Sequence, residues 1–132
     1  MAEPGPRPVL LTIEPQLFVT DMPRAIAFFV EKLGFSIGFT YGEPPFYAQV
    51  VRDAAMLNLR HVDRPVIDRS ESDLLSAAIT VSHAGRLFVE FKDRGVPFHE
   101  KLTREPWHEA GQGSFIVEDP DGNLILFAGR TD

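Results

Sequence analysis

The order of apolar and polar positions predicts the elements of the first half of the chain. Thr12 to Thr20 reads as a strand, and Asp21 then offers a side-chain oxygen to cap a helix whose first turn contains Pro23. Met22, Ile26, Phe29 and Leu33 recur at helical spacing, so one helix face is buried against a sheet, and Gly34 can take the left-handed conformation that ends the helix. Strand-like runs follow at Phe35 to Tyr41, Phe46 to Arg52 and Met56 to His61, the last two as a hairpin across Asp53-Ala54-Ala55. The order is β, α, β, β, β.

The same order returns in the second half. Leu75 to Val81 is a strand, Ser82 is the expected cap, and Ala84, Leu87, Phe88 and Phe91 form the helix stripe before Gly95. Val81 stands 62 positions after Val19 and Gly95 stands 61 after Gly34, so the chain is an internal repeat with a one-residue gap. The second half closes with Ser114 to Glu118, the turn Asp119-Pro120-Asp121-Gly122, and Leu124 to Ala128. Proline second and glycine fourth suit a type I turn. Asp63 to Asp73 is charged and lacks apolar periodicity, which makes it a surface linker. Module one therefore spans about 9–62, the linker about 63–73 and module two about 74–129 of a single domain, 1–132.

Composition narrows the function classes. With 132 residues and 44% hydrophobic content the chain can bury a core, and it contains no run near the ~20 apolar residues of a membrane span. Met1 to Pro8 is proline-rich and polar, unlike a signal peptide, which points to the cytoplasm. The absence of cysteine removes disulfides, thiolate nucleophiles and cysteine metal sites. A net charge of −6 argues against a nucleic-acid surface and weakly favours a cationic ligand.

Three stretches carry a resemblance that covers nearly the whole chain. They are Leu-Phe-Val-Thr-Asp followed by Ala-Ile-Ala-Phe-Phe-Val-Glu-Lys-Leu-Gly-Phe (17–35), Phe-Tyr-Ala-Gln-Val-Val-Arg-Asp (46–53), and Phe-Ile-Val-Glu-Asp-Pro-Asp-Gly-Asn-Leu-Ile-Leu-Phe (115–127). Together, in this order, they resemble the glyoxalase, bleomycin-resistance and extradiol-dioxygenase superfamily, the vicinal oxygen chelate proteins. The resemblance implies an α+β fold in which two βαβββ modules form an incomplete mixed-sheet barrel, or cup. Within the superfamily the chain is most similar to the bleomycin-resistance type, which binds a cationic drug without altering it. Val51-Arg52-Asp53 and Pro106-Trp107 belong to that similarity. A glycine commonly follows the tryptophan in such proteins, whereas here His108 to Gln112 intervene before Gly113.

Enzymes of the superfamily hold a metal with one His- or Glu-type side chain from each of four strands. The corresponding positions here are Glu14, Asn58, Ser76 and Leu126, a set that makes a poor metal site. Of the four histidines, His61 is expected on the face opposite Asn58, His83 opens a helix, and His99 and His108 lie in or near the long loop. His108-Glu109 beside Trp107 is the pair closest to a ligand contact. No phosphate loop, dinucleotide fingerprint or nucleophile elbow is present, and the turn accounts for Asp119 and Asp121.

Alternation places Glu14, Gln16 and Phe18, Asn58 and Arg60, Ser76, Ala78 and Thr80, and Leu124 and Leu126 along the cup. That mixed lining suits a ligand better than a closed core. Phe39, Tyr41, Phe46, Tyr47 and Trp107 stand off the helix stripes, and by resemblance Phe39 and Trp107 fall where bleomycin-resistance proteins stack a drug's flat rings. The expectation is non-catalytic sequestration of a planar, cationic small molecule by Glu14, Phe39, Phe46, Tyr47, Asn58, Arg60 and Trp107, with no metal and no cofactor. The alternative is a metal-dependent lyase, isomerase or dioxygenase of the same superfamily. The resemblance also implies a homodimer, with the strand near Val9 to Thr20 exchanged between subunits.

Overall fold

Two βαβ-type halves emerge in a computed structural model of the chain, which describes residues 5–68, 74–99 and 113–129. The first helix begins where the sequence places it: the Asp21 carboxylate accepts a hydrogen bond from the Arg24 N–H at 3.1 Å, and α1 (Met22–Ala27) follows. It widens into a π-helical turn, Phe28–Lys32, closed by the Leu33 N–H on the Phe28 carbonyl at 3.3 Å. The wider turn lets Phe28 and Phe29, adjacent in sequence, both enter the core, where their rings meet edge-on at 5.4 Å. Of the expected stripe, Met22, Phe29 and Leu33 are buried and Ile26 is half-buried.

The first sheet contains β1 (Gln16–Val19), β2 (Ser36–Tyr41), β3 (Tyr47–Arg52) and β4 (Ala55–His61) in the order β1-β4-β3-β2, with β1 parallel to β4 and the other pairs antiparallel. The second contains β5 (Leu75–Val81), β6 (Ser114–Glu118) and β7 (Leu124–Gly129) in the order β5-β7-β6, with α2 (Ala84–Asp93) after β5. Again the first strand runs parallel to the last. An isolated antiparallel bridge from Phe98 to Val117 extends this sheet at the place that β2 holds in the first half. Both sheets are mixed and neither closes, which is the α+β cup architecture.

Two expectations shift by a few residues. The first strand is shorter than Thr12 to Thr20, because Pro15 has no N–H for a ladder; its carbonyl still accepts the Asn58 N–H at 2.9 Å. The N-cap of α2 is His83, without a side-chain cap bond, and the Ser82 hydroxyl instead meets His83 Nδ1 at 3.0 Å. His83 is the repeat partner of Asp21, so the repeat locates the cap more accurately than residue preference does.

One hydrophobic cluster joins the halves. Leu17 of β1, Leu59 of β4 and Phe29 belong to the same core as Phe91, Phe115 and Phe127 of the second half, all fully or almost fully buried. Each such side chain contributes roughly 1.5–3 kcal/mol on removal from water. At the helix ends the halves clasp reciprocally: Lys32 Nζ donates to the Arg94 carbonyl at 2.7 Å, and Arg94 donates to the Glu31 carbonyl at 3.0 Å. Lys32 and Arg94 are themselves 62 positions apart, the offset of the repeat. Cations at these helix ends also suit the dipole.

Candidate binding face and a separate cavity

Burial of Leu57 and Leu59 sends their neighbours Asn58 and Arg60 to the other face of β4. Sheet register then fixes what lies beside them. Phe39, Gln49, Asn58 and Gln16 form one row across β2, β3, β4 and β1, and Tyr41, Tyr47, Arg60 and Phe18 form the next. Four of the seven residues expected at the site, Phe39, Tyr47, Asn58 and Arg60, thus share one face with Gln49.

Glu14 reaches this face from the segment before β1. Its Oε1 accepts hydrogen bonds from Gln49 Nε2 at 2.8 Å and Asn58 Nδ2 at 3.3 Å, and its Oε2 accepts one from the Thr12 hydroxyl at 2.8 Å. Gln49 Nε2 also donates to Asn58 Oδ1 at 3.1 Å, so one amide group holds both partners. Asn58 is only 7% exposed, and this network supplies the partners that a buried amide requires. Gly38 makes room for it: a Cβ there would stand 2.7 Å from Gln49 Oε1, at the point where β2 and β3 slip register. Gln49 is the residue that sequence reasoning missed. The hairpin register, had it been drawn, sets it opposite Asn58.

The aromatic residues divide into two pairs. The Phe39 and Tyr47 rings are stacked at 6.2 Å, whereas Phe46 meets Tyr41 edge-on at 5.4 Å beyond the end of β3. Phe39 is 44% and Phe46 48% exposed, which leaves apolar ring surface open to a ligand. Arg60 is exposed and has no ion-pair partner among the described residues. Trp107, with the His108-Glu109 pair beside it, lies outside the described residues.

The metal positions implied by resemblance can be tested on their chemistry. Asn58 Oδ1 already accepts from Gln49, the Ser76 hydroxyl donates to Asn123 Oδ1 at 3.1 Å, and Leu126 has no donor atom. Glu14 is the one anionic oxygen donor of the four, so the set does not fit a catalytic divalent ion. The second sheet's corresponding face, with the rows Ala78–Leu126–Ile116 and Thr80–Ala128–Ser114, is small and largely apolar.

Two charged groups away from this face are held by specific partners. Asp119 is 2% exposed; burial pushes its pKa up to about 6, against the opposing pull of hydrogen bonds from Asn123 and Asp121. The Glu90 carboxylate is held below its usual range, chiefly by its two-pronged hydrogen bonds from Arg52 at 2.8 and 3.0 Å. A cavity of about 600 Å³ lies between the β3–β4 turn and β5; Ala78 and Thr80, expected along the cup, line it, while Glu14, Phe39, Phe46, Tyr47, Asn58 and Arg60 do not.

Comparison with known proteins places these features in context. Residues 10–127 match the sequence family described as the Glyoxalase/Bleomycin resistance protein/Dioxygenase superfamily. A bleomycin resistance protein from Geobacillus stearothermophilus is 29% identical over 124 residues, covering 86% of this chain and 92% of the relative. A bleomycin-binding protein from Streptomyces verticillus, solved with copper(II)-bleomycin, superposes with a TM-score of 0.71 at 22% identity, covering 94% of this chain and 99% of that one. A lactoylglutathione lyase from Agrobacterium tumefaciens superposes at 0.64 with 16% identity, covering 92% of this chain and 95% of that one. At these identities the two structures share the fold with binders and enzymes alike.

Proposed function

Because the chain belongs to the glyoxalase, bleomycin resistance and dioxygenase superfamily, we propose that it binds a planar, cationic small molecule of the bleomycin type and sequesters it unchanged. The observation that carries this reading is the Glu14–Gln49–Asn58 network beside the stacked Phe39–Tyr47 pair. A carboxylate held against a buried amide gives a fixed acceptor for a cationic or N–H-bearing group, and the exposed rings give a flat apolar surface. Arg60 and Phe46 border that surface, and Trp107 enters the reading only as the ring-stacking aromatic that the resemblance implies. The donor set at Glu14, Asn58, Ser76 and Leu126 disfavours metal-dependent catalysis.

The reading includes a homodimer in the cytoplasm. Val9, Leu10, Leu11 and Ile13 are 62–98% exposed on the segment before β1, and a partner chain that exchanged this segment would cover them. Among the described residues, no helix is long and apolar enough to cross a membrane.

Bleomycin titrated by calorimetry and by the emission of the lone tryptophan tests the binding reading. We expect saturable heat together with quenching, and Glu14→Gln and Phe39→Ala should each weaken binding by about tenfold. A protein that gives no heat with bleomycin, or that binds equally after both substitutions, refutes the site. Light scattering should give about twice 14.8 kDa.

A further inference from the structure

The two halves finish their hairpins differently, and the cavity lies beside the simpler turn. In the second half the β6–β7 turn reaches back to the end of β1. Asn123 Nδ2 donates to the Phe18 carbonyl at 3.1 Å, and Asp121 Oδ1 accepts from the Thr20 N–H at 2.9 Å and the Thr20 hydroxyl at 2.6 Å. The repeat offset that aligns β1 with β5 puts Thr80 and Ser82 in the places of Phe18 and Thr20. The matching β3–β4 turn carries Ala54 and Ala55, and Ala55 stands at the ladder position that Asn123 holds in the other turn. Alanine methyls can neither bond to main-chain groups nor occupy the volume of an asparagine and an aspartate. The alanines border a cavity of about 600 Å³, together with Met56, Thr80, Ser82 and Phe91.

That volume falls within the range that small molecules occupy. We propose that this cavity is a second ligand site, sharing no residue with the Glu14–Gln49–Asn58 network or the Phe39–Tyr47 pair, and that it takes an apolar molecule bearing one carboxamide head group. The head supplies what the alanines lack: its N–H donates to the Thr80 carbonyl, and its oxygen accepts from the Ser82 N–H. The apolar body packs on Met56, Phe91 and Phe127. A neutral amide suits the site better than an acid, because the walls are largely apolar and include the Asp53 carboxylate, while the neighbouring Arg52 is already committed to Glu90 and the Leu33 carbonyl.

Hexanamide is a suitable probe, followed by the methyl resonances of Met56 and Ala55 in the intact protein. We expect a saturable shift in the millimolar range, with the ring resonances of Phe39 and Tyr47 unmoved. Ala55→Asn supplies the amide of the other half's lock, and Ala55→Leu places carbon where the head group would sit; each should weaken hexanamide binding at least about tenfold while the protein keeps its native circular dichroism. The absence of saturable binding up to the solubility of hexanamide overturns the proposal. So does unchanged affinity in whichever Ala55 variant folds, or a perturbation centred on Phe39 and Tyr47. Hexanoate binding more tightly than hexanamide would overturn the choice of head group.

Discussion

The two hairpin turns occupy equivalent places in the repeat, yet one is a polar lock and the other presents two alanines. In the second half Asp119, Asp121 and Asn123 tie the β6–β7 turn to itself, to Phe18 and Thr20 of the first half and to Ser76. In the first half Ala54 and Ala55 face Thr80 and Ser82 across open space. Both halves pair their first strand parallel to their last, while the reciprocal Lys32 and Arg94 contacts preserve the symmetry at the helix ends. A repeated fold can therefore keep its strands and helix ends in common while its turns diverge, because strand burial is set by period-two hydrophobicity and turn contacts by individual side chains.

The largest expected effect breaks the lock. Asn123 is 1% exposed and bonds to Phe18, Ser76 and Asp119, so Asn123→Leu should cost about 3 kcal/mol through buried groups left unpaired, measured by urea denaturation. Its counterpart Ala55→Ser should change stability by less than about 0.5 kcal/mol. Similar losses from both substitutions would dissolve the contrast between the turns.

A second, smaller effect is a pH dependence confined to the locked turn. Asp119 has a native pKa of about 6 against an ordinary value of 3.8, so the native state takes up this proton first as pH falls. Its contribution to stability is fully present below about 3.8 and is lost as pH rises through 6. Between pH 7 and pH 5 the wild type should therefore gain about 1 kcal/mol relative to Asp119→Asn, a difference in which the other carboxylates cancel. A gap between the two proteins that stays constant over that range removes Asp119 as the titrating group.

The smallest effect concerns the β3 end of the unlocked half. Arg52 and Glu90 join the halves where the first turn does not, but both are about one-third exposed. A double-mutant cycle with Arg52→Met and Glu90→Gln should give a coupling of about 0.5–1 kcal/mol that shrinks in high salt. A coupling of several kcal/mol would make this pair a lock equal to the other.

Much of this architecture was legible from hydrophobic spacing. The helix stripe of α1, the strand order and the 62-residue offset all follow from local periodicity, which side-chain burial then enforces. Pro15 marks where local reasoning fell short, since a missing N–H halts a ladder whatever the pattern around it. Asn58 was found by position and Gln49 was not, because their contact depends on the register between β3 and β4 and on the gap at Gly38. The cavity was invisible for a related reason. It lies between a turn and a strand more than 20 residues apart, and only comparison of the two halves reveals what the alanines leave undone.

The bonds from Asp121 to Thr20 span 101 positions, and this fixes an order of events during synthesis. β1 leaves the ribosome well before the group that holds its end, which is made 101 positions later. Its parallel partner β4 becomes available midway, so the first sheet can pair while the end of β1 still frays in water. Contacts of such separation slow folding, and here they also delay completion. A nascent chain stalled before Asp121 should leave the Thr20 N–H open to hydrogen exchange, and release of the following few residues should close it.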